Sequence, residues 1–272
     1  MGANSIDIRR LTPRIGAEIS GVNLADKLDD ASFGVIHQAL MDHLVIFFRD
    51  QDITAEQQLA FGRRFGKLHI HPAAPSLPGL PEAMIIHADA NSKYANGEDW
   101  HSDVSCDEEP PMGSILRIHT LPDIGGDTLF ANMYTAYETL SEPLRRMLDG
   151  MTAMHDGEML YRGRYTNTDA ARVYPKAVHP VIRTHPVTGR RALFVNSFFT
   201  SRIVELSRQE SDAMLALLFR HIETPEFSCR FRWQKNSVAF WDNRSAQHQA
   251  IWDYFPQTRS GVRVTVCGGR PG

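Results

Sequence analysis

A histidine and an aspartate two residues apart, His101 and Asp103, and a second histidine far along the chain, His248, are the side chains best suited to chemistry in this sequence. Two imidazoles and one carboxylate are the donor set of a reactive ferrous site. On an extended segment, residues i and i+2 project to one face, so both reach a single ion while a distant histidine completes the triangle. Three protein ligands on one face of an octahedral ion leave the other face for a co-substrate and dioxygen. Spacing alone does not select this pair. With 12 His and 32 Asp+Glu among 272 residues, roughly one or two His-x-Asp/Glu triplets arise by chance, and three are present. His221-Ile222-Glu223 closes a segment that starts with a Ser207/Glu210 capping box and carries Met214, Leu215, Leu217 and Leu218. That pattern predicts a helix, on which i and i+2 diverge, so this triplet is expected on a solvated face. His87-Ala88-Asp89 follows the apolar run Ala83 to Ile86 and, on strand geometry, chelates as well as His101/Asp103. At the level of residue types both remain open.

Several function classes fall away on composition. The net charge is -3 with no Lys/Arg block, so nucleic-acid binding has no electrostatic support and a small molecule or another subunit is the expected partner. Cys106, Cys229 and Cys267 are odd in number with no Cys-x-x-Cys spacing, against both a disulfide framework and a thiolate zinc site, and a reducing cytoplasm is expected. The first eleven residues have no apolar signal core, the start does not match a myristoylation signal, and no run approaches membrane-spanning length, so no membrane partner is expected. No Pro/Ser/Gly-rich linker divides the chain, which reads as one domain over 1–272.

The elements that must position these ligands follow from periodicity. Helices are expected at Asp30 to Asp42, after the Thr54/Gln57 capping box, at Ser141 to Leu148 and at Ser207 to His221. Strands are expected at Leu44 to Phe48, Ser114 to Thr120, Leu129 to Met133, near Phe227 to Arg232, Ser237 to Trp241 and Gly261 to Cys267, with Ala177 to Arg183 and Arg191 to Asn196 as a hairpin. His71 to Pro81, with four prolines and a glycine, is expected as an irregular loop, and residues 156–175 as an insertion or lid. In the last strand Arg259, Gly261, Arg263 and Thr265 share a face opposite Val262, Val264 and Val266, so two arginines point into a cavity if the polar face looks inward. Many short strands with a few helices and no Gly-rich phosphate loop predict an α+β, mainly β fold, a double-stranded β-helix or jelly roll with flanking helices.

The order Ile15-Gly16-Ala17-Glu18-Ile19-Ser20-Gly21, Leu68-His69-Ile70-His71-Pro72, Trp100-His101-Ser102-Asp103, Gly125-Gly126-Asp127-Thr128 and Trp241-Asp242-Asn243-Arg244 resembles the TauD/TfdA family, the taurine dioxygenase-like Fe(II)- and 2-oxoglutarate-dependent dioxygenases, over almost the whole chain. The resemblance chooses His101/Asp103 over His87/Asp89. It implies that His101, Asp103 and His248 bind Fe(II), that Arg259 with Thr128 holds the distal carboxylate of 2-oxoglutarate, and that O2 converts this co-substrate to succinate and CO2 as a substrate carbon is hydroxylated. It implies His71, Arg263 and Phe199 as substrate contacts. Where the family places a Tyr and an Asn beside taurine, Ala74 and Gly97 stand here, and a pocket without that phenol and amide is expected to favour a longer or aromatic anion. The expected activity is hydroxylation of a small organic anion, an organosulfonate first, releasing sulfite and an aldehyde. Alkyl sulfate esters or aryloxyalkanoates are the alternatives, and a non-catalytic sensor of metal and 2-oxoglutarate is the reading from another class. The resemblance also implies a homo-oligomer, dimer or tetramer.

Overall fold

The computed structural model describes residues 6–71, 74–164 and 173–272. Strands β1 (Asp7–Arg10) and β2 (Ala17–Ser20) pair antiparallel and are followed by α1 (Asp30–His43), β3 (Val45–Phe48) and α2 (Ala55–Arg63). Next come β4 (Ser76–Leu77), β5 (Leu80–Ala88), β6 (Gly113–Thr120), β7 (Thr128–Asn132), α3 (Met133–Glu138) and α4 (Glu142–Leu148). Strand β8 (Thr152–Asp156), α5 (Glu158–Tyr161), β9 (Lys176–Pro180), β10 (Ile182–Thr184), β11 (Arg191–Leu193) and β12 (Thr200–Ile203) lead to α6 (Arg208–Ile222). Strands β13 (Ser228–Phe231), β14 (Ser237–Asp242), β15 (Ala246–Ala250) and β16 (Arg259–Val266) complete the order.

Eight strands form one sheet in the order β1-β2-β3-β14-β6-β16-β5-β4, and β13-β7-β15 form a second. This is the expected mainly β double-sheet architecture with flanking helices. Side-chain alternation explains both faces of the large sheet. On β3 and β14, Ile46, Phe48, Val238 and Phe240 pack with Ile36 and Leu40 of α1 and Leu59 and Phe61 of α2. Their neighbours Val45, Phe47, Ala239 and Trp241 face the other way and pack with Phe130 of β7. Strands buried on both faces read as continuous apolar runs, as Val45-Ile46-Phe47-Phe48 does. Strand β16 is amphipathic instead: Val262, Val264 and Val266 join the helix-side core, while Arg259 and Arg263 line the cleft between the sheets.

Local signals held where the chemistry is local. Thr54 and Gln57 form the α2 capping box, and Ser207 and Glu210 that of α6. Four expectations need correction. The His71–Pro81 segment is not wholly irregular, because Pro78-Gly79, with Gly79 at φ +77°, turns β4 into β5 through the Leu77/Leu80 pair. Strand β7 stops at Asn132, whose side chain accepts the Thr135 amide and caps α3, so Met133 is helical. The run 177–183 is two strands in two sheets, β9 against β8 and β10 against β11, broken where the Val181 amide bonds the Met151 carbonyl. His221 is not on a solvated face: its Nε2 lies 2.9 Å from the Ala136 carbonyl and 3.1 Å from Thr139 Oγ1 at the end of α3. Residues 72–73 of the proline-rich segment and 165–172 of the expected lid at 156–175 lie outside the described residues. Among the described residues no helix is long and apolar enough to cross a membrane.

Candidate metal centre and co-substrate site

Strand pairing brings the two histidines together. His101 and His248 face each other in an antiparallel bridge, with His101 N–H donating to the His248 carbonyl (3.1 Å) and His248 N–H to that of His101 (2.9 Å). Their rings are 4.1 Å apart between centroids. The His101 Nδ1 lies 2.8 Å from the Asp99 carbonyl; a carbonyl only accepts, so Nδ1 carries the hydrogen and Nε2 presents its lone pair. That Nε2 is 3.6 Å from Asp103 Oδ1, and one ligand atom from each of His101, Asp103 and His248 falls within 4.8 Å of the others. All three residues are buried. Val104, at φ +48°, turns the chain directly after Asp103, a strained conformation of the kind found at functional sites.

The electrostatics suit a cation. Burial acts to raise the Asp103 carboxyl, but Arg263, His248 and His101 outweigh it and hold the group well below its usual range. Burial, then the neighbouring His101, keep the His248 imidazole neutral far below its ordinary value. A carboxylate and a neutral imidazole are the forms that bind metal. The buried Nδ1 of His248 has no hydrogen-bond partner among the described residues. The set fits Fe(II), which His101, Asp103 and His248 would hold. Bound iron supplies the activation of dioxygen that couples decarboxylation of 2-oxoglutarate to oxidation of a carbon.

Arg259, the residue expected to hold the co-substrate, is a buried cation lining the same cleft as the triad. Arg259 donates from Nε to the Gly126 carbonyl (3.0 Å) and from a terminal nitrogen to Thr128 Oγ1 (3.4 Å). Thr128 Oγ1 also accepts from Trp233 Nε1 at 2.9 Å. Arg259 is 4% exposed, and among the described residues no carboxylate forms an ion pair with it. Burial pulls its pKa down, against the pull of Tyr254 and Asp127. A guanidinium so placed is completed by an anionic ligand, and the distal carboxylate of 2-oxoglutarate matches its fork. The glycine pair before Thr128 has a steric reason: Gly126 sits at φ +73°, and a Cβ there would come within 3.1 Å of Arg259 Cδ.

The cleft between the sheets is lined by the triad, Thr128 and Arg259, and also by His71, Arg263, Phe199 and Gly97. Ala74 is not among its lining residues; it packs half-buried against the core, and its N–H donates to His71 Nδ1 at 2.9 Å. His71 therefore carries its hydrogen on Nε2. Burial first, then Arg263 and His69, push its pKa down to about 3, so it is a neutral donor. Gly97, at φ +82°, lies against His101, where a Cβ would approach Cε1 within 3.0 Å. Arg263 forms an ion pair with Asp103 Oδ1 and places its other terminal nitrogen 3.1 Å from Met84 Sδ, while its buried Nε has no hydrogen-bond partner among the described residues. His87 and Asp89 lie 3.5 Å apart on a partly exposed stretch of chain and do not line the cleft. Sequence reasoning missed Phe198, whose ring is 4.8 Å from that of His101, and Trp241, 4.5 Å from that of His248. It missed Arg164 too, which enters the cleft while paired with Glu98 at 2.7 Å. Of these, Trp241 alone had a signal, its place in the Trp-Asp-Asn-Arg run.

The profile described as Taurine catabolism dioxygenase TauD, TfdA family matches residues 7–265. The Alkylsulfatase of Acinetobacter baylyi is 37% identical, the match covering 97% of this chain and 85% of that protein. The Alpha-ketoglutarate-dependent sulfate ester dioxygenase of Pseudomonas putida is 39% identical, with 99% and 92% covered. The crystal structure of a Taurine Dioxygenase from Burkholderia xenovorans superposes with a TM-score of 0.86 at 40% identity, covering 98% of this chain and 91% of that one.

Proposed function

Since this chain belongs to the TauD/TfdA family and is a 2-oxoglutarate-dependent non-haem iron dioxygenase, we propose that its substrate is an organic sulfur oxyanion with an apolar tail, an alkyl sulfate ester first and an alkylsulfonate second. The observation that carries this reading is the lining of the cleft, in which Asp103 is the single carboxylate among the described residues. Met84, Ile86, Val104, Leu160, Phe198 and Phe199 supply apolar wall beside the cations Arg164 and Arg263. Asn96 and Tyr161 add an amide and a phenol to the lining, but beyond Asp103 the ammonium of taurine would meet no counter-charge there, whereas an alkyl chain would be buried favourably. We place the oxyanion between Arg263, whose buried Nε lacks an acceptor among the described residues, and the Nε2–H of His71, with Phe199 and Gly97 bounding the carbon to be oxidised and Ala74 acting only through His71. Support for esters over sulfonates comes from the relatives named Alkylsulfatase and Alpha-ketoglutarate-dependent sulfate ester dioxygenase.

One oxygen atom of O2 enters succinate and the other becomes a hydroxyl on the carbon bearing the sulfate. That carbon then expels sulfate as the hydroxyl loses its proton, leaving an aldehyde; a sulfonate would release sulfite by the same collapse. The protein's own part is to orient the carbon and exclude competing water. We read residues 1–272 as one catalytic domain and the enzyme as a cytoplasmic homo-oligomer, dimer or tetramer, a state that light scattering measures. The test of substrate is succinate release by Fe(II)-loaded enzyme across alkyl sulfates, alkylsulfonates, aryloxyalkanoates and taurine. Stimulation by alkyl sulfates with sulfate release is expected. A higher kcat/KM for taurine would sink the apolar-tail reading, and a phenol product would move the substrate to aryl ethers.

A further inference from the structure

The Trp241-Asp242-Asn243-Arg244 turn holds no metal ligand, yet it reaches the metal centre. Asn243 accepts, at Oδ1, the backbone N–H of Asp103 (3.2 Å) and Nε1–H of Trp241 (2.9 Å). Both partners only donate, so the amide oxygen must face them and the NH2 must point the other way. Asn243 Nδ2 there donates to Ser114 Oγ at 3.2 Å. Ser114 Oγ in turn donates to Asp103 Oδ2 at 2.7 Å, because the carboxylate only accepts. Asp103, Asn243 and Ser114 thus close a ring of three hydrogen bonds with one possible polarity. Asp103 and Asn243 are each 2% exposed and Ser114 is 0% exposed, so the ring is shielded from bulk solvent.

The ring joins three elements. Ser114 stands on β6, Asn243 lies in the turn that carries β14 into β15, and Asp103 follows His101, which bridges to β15 at His248. The turn is itself braced: Asp242 accepts from the Arg244 guanidinium at 2.6 and 2.8 Å and from His185 Nε2 at 3.0 Å. We propose that Asn243 and Ser114 are positioning residues that lock the Asp103 carboxylate, with Ser114 held at Oδ2 so that Oδ1, which also pairs with Arg263, is the oxygen turned toward His101 and the metal site. The same ring ties the spacing of Asp103 to the turn that delivers His248. It rests on the metal site, not on the substrate. Groups that orient a ligand from behind typically account for 10- to 100-fold in metal affinity.

The experiment is anaerobic titration of metal-stripped protein with Fe(II), and with Co(II) as a coloured reporter of ligand geometry, for the parent, Ser114→Ala, Asn243→Ala and Thr265→Val. Ser114→Ala and Asn243→Ala should weaken Fe(II) binding by about 10- to 100-fold and shift the Co(II) absorption bands, with melting of the metal-free protein close to the parent's. Thr265, whose hydroxyl touches Ser114 at 3.4 Å from outside the ring, should bind metal like the parent once changed to Val. If Asn243→Ala does not fold, Ser114→Ala, which removes one oxygen, decides alone. Parent-like affinity and an unshifted Co(II) spectrum in Ser114→Ala would overturn the role. Failure of the parent to bind Fe(II) would overturn the metal site and the ring's function with it.

Discussion

Two His-x-Asp triplets in this chain have almost the same internal geometry and opposite environments. His87 Nε2 and Asp89 Oδ2 are 3.5 Å apart; His101 Nε2 and Asp103 Oδ1 are 3.6 Å apart. The first pair has side chains 46% and 30% exposed, the second 6% and 3%. Strand β5 ends at Ala88 with His87 paired across to Ser260, and no third ligand joins them among the described residues. His101 is bridged to a strand that carries His248, and Asp103 is fastened from behind by Ser114 and Asn243. Spacing therefore makes a chelate pair, while a partner strand and burial make a metal site. Exposed pairs of this kind contribute little, because water screens them. Buried donors must instead be compensated, as Asp242 is by Arg244 and His185 and Asp103 by Arg263, because charge out of water is costly.

The comparison can be broken most directly at its strong side. His101→Ala and Asp103→Ala should each abolish Fe(II) binding and succinate release, read by anaerobic metal titration and product assay; retained metal in both would mean that the site lies elsewhere. Next in size is Arg259→Ala. Loss of a buried charged partner costs about 2–5 kcal/mol, so the KM for 2-oxoglutarate should rise by roughly 30- to 5,000-fold while Fe(II) still binds, and an unchanged KM would remove Arg259 from the co-substrate site.

Burial, the half of the comparison that separates the triplets, also makes a pH prediction. His71 is held down to about 3, by burial and then by Arg263 and His69, and His155 to about 3, by burial and then by His179. Unfolded imidazoles take up protons below about 6.5, while these folded ones do so only near 3. The unfolded state thus binds more protons across that window, and stability falls as pH falls through it. Thermal melts of metal-free protein should show Tm declining from about pH 6.5 downward, with a shallower decline in His155→Gln; equal slopes would mean His155 takes up its proton in the folded state. Smallest of all, His87→Ala and Asp89→Ala should leave both the Tm and the Fe(II) affinity close to the parent's.

How far the fold could be read in advance depends on the range of each interaction. The capping boxes of α2 and α6 close within four residues, so their sequence suffices. The polar and apolar faces of β16 alternate with the pleat and were readable for the same reason. Helix α3 was not, because Met133-Tyr134-Thr135-Ala136-Tyr137 mixes strand formers with helix formers, and Asn132 serves as a cap or as a strand residue depending on the conformation of the residues after it. The break at Val181 depends on a carbonyl from Met151, and Phe198 faces His101 only because a distant segment folds over the bridge.

By itself the sequence determined which donors exist, the two-residue spacing that lets a pair chelate, the alternation that turns Arg259 and Arg263 toward a cavity, and a run of motifs that names the family. Only the tertiary structure decided that His101 rather than His87 meets a second histidine, that Arg259 is buried beside Thr128, that Ala74 stands behind His71, and that Ser114 and Asn243 close a ring on Asp103. The reason is physical. Spacing acts through bonds along one chain, whereas desolvation and hydrogen-bond closure depend on which strands lie side by side, and that is fixed by packing among residues far apart in sequence.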